Sequence, residues 1–200
     1  MTRQVNRIVL TSHITFSVGW LGAVAVFLAL AITALHSQDV QLVRACCLAM
    51  DITAWFIILP FALTSLTTGI VQALGTKWGL FNHYWIAVKL FLTVVSTILL
   101  LLHMQPISSL AVSATETPFS YTESSSQIID LIKKAGAAII ALLFIVTISV
   151  FKPWGKIQKR NEGVVKESPK SSFKLYSLIG LAILILLVII KHLFASGHGH

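Results

Sequence analysis

Apolar runs long enough to cross a bilayer recur along this chain. Each holds roughly twenty residues or more, at about 8–35, 41–74, 83–104, 128–151 and 173–194. A lipid core about 30 Å thick needs about 20 apolar residues of helix, so the pattern predicts five transmembrane helices. The first run is about twice the length of a signal-peptide core and no small-residue cleavage site follows it, so it is read as a retained span. The expected fold is all-α: an integral membrane five-helix bundle. It divides into a four-span bundle with a polar interior (1–151), a basic loop (152–172), and a peripheral fifth span with a His-containing tail (173–200).

Polar positions inside the spans carry the chemistry. In the third span Asn82, Lys89, Ser96 and His103 recur every seven residues, a spacing that drifts only about 20° per step around a helix. In the second span Arg44, Asp51, Ser65, Gly69 and Gln72 fall within about 60° of one line. The first span offers His13, Ser17 and Trp20 on one stripe, with Gly19 and Gly22 for close helix approach. The first three helices are therefore expected to face one another. The fourth supplies a small surface, Gly136, Ala137, Ala138 and Ala141, suited to packing against them. At about 1.5 Å per residue, His13 and Lys89 come to the same depth on one side, with Thr67 and Thr68 near it. Asp51 and His103 belong towards the opposite side, which leaves Asp51 too far from Lys89 to pair with it.

Composition agrees with the pattern: 56% of the 200 residues are hydrophobic and 11% charged, and the mean hydropathy is +0.86. A soluble domain cannot cover itself with so few polar groups. The formal charge of +8 sits mostly at the flanks of apolar runs, where Lys and Arg set orientation and meet anionic lipid, so nucleic acid is not the expected partner. The connection at 105–127 contains Glu116 and Glu123 but no Lys or Arg, whereas 152–174 holds six Lys and one Arg. By the positive-inside rule the amino end is cytoplasmic and the carboxyl end outside. Cys46 and Cys47 are adjacent and point about 100° apart on a helix, so they are read as small buried residues and not as a disulfide.

An ionisable side chain at membrane depth costs about 2.5–3.5 kcal/mol on insertion scales and marks a functional position by default. Two readings follow. In the first, histidines on facing helices hold haem b for electron transfer or redox sensing. Inner His13 with His83, and outer His103 with His192 or His36, are the candidate ligands, and Lys89 and Arg44 the candidate partners of propionates. A redox partner or quinone would then be expected, and oligomerisation is open. In the second, Asp51, Lys89, Ser96 and His103 relay protons in a proton-coupled transporter or channel. A structural membrane subunit, its polar groups only joining helices, is the third. No metalloprotease, serine-hydrolase, P-loop or C-x-x-C motif occurs.

The run "SLTTGIVQALGTKWGLFNHYWIAVKLFLTVVSTILLLLHMQP" and the opening "HITFSVGWLGAVAVFLAL" resemble an uncharacterised group of bacterial multi-pass membrane proteins. The resemblance covers roughly the first half of the chain and continues more weakly through "SVFKPWG". It implies a bacterial cytoplasmic-membrane location and brings no activity with it. A looser likeness in layout links the chain to small membrane cytochromes b and to copper-resistance membrane proteins, whose spans carry histidines.

Overall fold

In lipid a backbone must satisfy its own N–H and C=O groups, so long apolar runs become uninterrupted helices. A computed structural model describes residues 2–75, 84–116 and 121–151, and nearly all of them are helical. Helix α1 runs Arg3–His36, starting at Thr2, whose side chain accepts the Val5 N–H. Helix α2, Val40–Thr53, is capped by Asp39, whose carboxylate accepts the Gln41 N–H at 2.9 Å. A π-helical turn, Ala54–Ile58, joins it without a break to α3, Leu59–Gly75. Helices α4, Tyr84–Thr115, and α5, Tyr121–Phe151, complete the described chain.

Four of these stretches are long and apolar enough to cross a membrane: Arg3–His36, Val40–Leu74, Ile86–Thr115 and Ser124–Phe151. The expected fifth span at 173–194, the basic loop at 152–172 and the His-containing tail lie outside the described residues. Helix α1 packs on α2–α3 and on α5, and α4 packs on the same two neighbours. The four spans thus form a ring in which α1 and α4 stand diagonally opposite. Trp20, Phe27, Met50, Leu110 and Ile128 fill the centre. Outward-facing Ile8, Val18, Phe56, Leu102, Ile140 and Val150 leave an apolar exterior suited to acyl chains.

Several expectations need correction. The segment 105–127, read as a connection, is mostly helix: α4 continues to Thr115 and α5 begins at Tyr121. Pro106 lacks an N–H and so forfeits one helical bond, that to the Leu102 carbonyl. Burial outweighs that loss, because Ile107, Leu110, Ala111 and Ala114 recur at helical spacing and are all buried. Helices α4 and α5, of 32 and 31 residues, therefore run well past the hydrocarbon thickness.

The polar line of the second span is also broken. In the π turn Leu59 N–H reaches back five residues to the Ala54 carbonyl, which adds a residue to the turn and rotates everything beyond it. Pro60 is the physical reason, since its ring clashes with the carbonyl four residues back and a widened turn relieves that clash. Asp51 consequently faces α4 while Ser65 faces α1.

Small residues divide too. A Cβ at Gly19 would meet the Phe61 ring at 2.6–2.7 Å, so this glycine does allow close approach. The Phe61 ring it admits stacks edge-on with Phe16 at 5.4 Å. At Gly22 and Gly136 a Cβ would meet nothing within 4 Å, so neither is at a tight contact.

Candidate functional site

Near the amino end of α1 all four spans contribute polar side chains to one buried layer. His13, on the stripe that also buries Trp20, points between the helices and is 6% exposed. Its Nδ1 lies 2.9 Å from the Ser65 carbonyl oxygen and 3.3 Å from Thr68 Oγ1. A carbonyl only accepts, so Nδ1 carries the proton and donates. The remaining ring nitrogen, Nε2, then accepts from Lys89 Nζ at 3.0 Å. Lys89 also donates to Ser149 Oγ at 3.1 Å, and Ser17 and Ser65 join hydroxyls at 2.7 Å. Gly69 makes room for the imidazole, since a Cβ there would come within 3.1 Å of His13 Cε1.

These contacts bring together the start of α1, the end of α3, the start of α4 and the end of α5, as an up-down-up-down ring requires. They also bridge the diagonal: α1 and α4 meet here through the long reach of Lys89. Ser149 was not among the expected site residues, and the polar interior is not the work of three helices alone. A signal for it exists, because Leu131, Ala135, Leu142, Ile145 and Ile148 mark the buried side of α5, and Ser149 lies seven residues from Leu142 and four from Ile145.

The electrostatics of the pair are constrained. No carboxylate among the described residues contacts Lys89 or His13. A protonated imidazole beside an ammonium would set two cations 3.0 Å apart. That repulsion is about 5 kcal/mol at an effective dielectric of about 20. The pair therefore holds one extra proton at most, shared along the Nε2–Nζ hydrogen bond.

The opposite end is organised differently. Ser108 Oγ donates to Asp51 Oδ1 at 2.7 Å, and Trp55 Nε1 donates to Ser108 Oγ at 2.9 Å. Arg44 Nη2 donates to the Glu116 carbonyl at 3.0 Å. Glu116 lies 27 positions beyond Lys89, about 40 Å along α4 at about 1.5 Å per residue. Lys89 and Arg44 consequently belong to opposite ends of the bundle and cannot serve one macrocycle.

His103 donates from Nδ1 to the Leu99 carbonyl of its own helix. With Ser96 it lines an apolar cavity of about 110 Å³ between α1, α4 and α5. His36 is exposed and bonded to the Ile32 carbonyl, and His83 and His192 lie outside the described residues. Among the described residues no three His, Cys, Asp or Glu side chains gather as a metal site would require. Cys46 and Cys47 are both buried and free. Comparison with protein-family models, curated proteins and solved structures finds no match to the chain.

Proposed function

We propose that this is a proton-handling protein of a bacterial cytoplasmic membrane, a proton-coupled transporter or channel whose exchange site is the Lys89–His13 pair. The observation that carries the reading is the 3.0 Å Nζ–Nε2 contact inside a layer supplied by all four described spans. Ionisable groups inside a membrane mark ion paths and relays. Here a proton taken up by the pair is stabilised by hydrogen bonds to Ser65, Thr68 and Ser149, and a second proton is excluded by repulsion. Asp51 and His103 are the further ionisable positions toward the other end. With the basic 152–174 segment in the cytoplasm, the Lys89 layer belongs to the inner leaflet and Asp51 to the outer half.

Proteoliposomes containing a trapped pH-sensitive dye test this. The expected result is proton flux, driven by a pH gradient or by a co-transported solute, that Lys89→Met or His13→Leu abolishes. Flux unchanged by both substitutions would sink the proposal.

One observation favours a second reading, haem b binding for electron transfer with a redox partner or quinone. His103 has Nδ1 fixed by a backbone carbonyl, the arrangement that orients ligating histidines. His13 supports that reading less, since both of its ring nitrogens are already bonded within the protein. The cavity beside His103 is also small against the roughly 300 Å³ or more of ordinary ligand sites. A reduced-minus-oxidised absorption spectrum of the purified protein decides it: sharp α and β bands lost in His103→Ala would establish the cytochrome.

A further inference from the structure

The α4–α5 seam carries two adjoining hollows that the Lys89–His13 layer does not use. The outer one, about 420 Å³, is lined by Gln105, Pro106, Ser109, Gln127 and Asp130, and shares Leu131 with the inner one. The inner one is the cavity of about 110 Å³ beside His103, walled by Trp20 and Phe27 of α1 and by Ala135, Ala138 and Ala141 of α5. Alanines here leave the space that larger side chains would fill. At about 110 Å³ it is smaller than the apolar cavities of about 150 Å³ that enclose benzene, so it takes part of a six-membered ring and leaves the rest at its open side.

The polar groups at this cavity specify its occupant. With Nδ1–H donated to the Leu99 carbonyl, neutral His103 presents Nε2 as an acceptor. Among the described residues nothing donates to it. One charged side chain, Lys134, lines the cavity, and it is ion-paired with Asp130 one turn away on α5. The site offers no net charge to attract an ion. A matching ligand is neutral, largely apolar and carries a hydrogen-bond donor.

We propose that the cavity at His103 binds a neutral hydroxyl-bearing ring that partitions from lipid, a compound of the hydroquinone class, with one ring hydroxyl donating to His103 Nε2. The ring packs against Trp20 and the α5 alanines, and any apolar tail leaves through the open side of the cavity into the acyl chains. His103 also belongs to the proton path proposed above, but neither Lys89 nor His13 lines this cavity, so binding here and flux through that pair are read out separately.

The test is an anaerobic titration of the full-length protein in detergent with a decyl-substituted benzohydroquinone, following tryptophan fluorescence. Its dimethyl ether, which has the same ring but cannot donate, is the comparison. The expected result is saturable quenching that Trp20→Phe removes, with the dimethyl ether binding at least tenfold more weakly. Ala138→Leu, which fills the cavity, and His103→Leu, which removes the acceptor, should each abolish it. Equal affinity for the hydroquinone and its ether would overturn the proposal without any variant, as would saturable binding that survives Ala138→Leu, or no saturable quenching at all.

Discussion

At the His13 end of the bundle, polar groups from all four spans meet around the Lys89–His13 pair; at the Asp51 end, polar groups join neighbouring helices. Lys89 reaches across the ring to His13 on the diagonal helix and to Ser149 on an adjacent one. Asp51, by contrast, is held by Ser108 of the neighbouring α4, with Trp55 of its own helix completing a short chain. Asp130 and Lys134 pair along a single helix. The difference is one of cost. An ammonium held between diagonal helices needs several partners to replace water, whereas Asp51 is satisfied by the helix beside it. Polar residues that reach across the ring therefore fix how four helices meet, and those between neighbours fix at most two.

The sharpest way to break the comparison is His13→Leu. It leaves Lys89 with Ser149 alone and removes the donor to the Ser65 carbonyl, so a loss of about 3 kcal/mol is expected. The unfolding midpoint in detergent measures it, and a loss no larger than that for Ser108→Ala would erase the distinction between the two ends. Lys89→Met keeps the length of the side chain but leaves His13 Nε2 and Ser149 without their partner, for about 1–3 kcal/mol in the same assay.

The glycines sharpen the packing side. Gly19→Ala pushes a methyl into the Phe61 ring and should cost about 1–2 kcal/mol as overpacking. Gly22→Ala meets nothing and should instead gain about 0.5–1 kcal/mol from helix propensity. Thermal unfolding of the two variants side by side checks that contrast. The smallest effect belongs to Ser108→Ala, about 0.6 kcal/mol, the average for one interhelical hydrogen bond in a membrane. Trp55 fluorescence should shift in that variant, because its indole N–H loses its acceptor.

Much of the site was legible in the residues. The heptad spacing of Lys89, Ser96 and His103 marks a polar face, and counting rises from the span ends brings His13, Thr68 and Lys89 to one depth. What the pattern missed has identifiable causes. Ser149 is one polar residue on an apolar face, and no periodicity of polar residues announces it. The line through Arg44, Asp51 and Ser65 assumed a regular helix, and one wide turn before Pro60 sends its two halves to different neighbours. The reach of α4 to Thr115 was hidden by Pro106 and by the polar residues around it, although Ile107, Leu110, Ala111 and Ala114 kept the helical period.

By itself the sequence determined the class, since hydrophobic length and the demand that every backbone polar group be satisfied in lipid leave helices as the solution for these spans. It also determined which residues are expensive to bury. The tertiary structure alone decided who meets whom: that Lys89 bonds His13 across the ring, that Asp51 turns to Ser108, and that Gly19 is crowded while Gly22 is open. Partner choice depends on the rotation and order of helices about one another. Those follow from side-chain packing summed over the whole bundle, and no local window of sequence contains that sum.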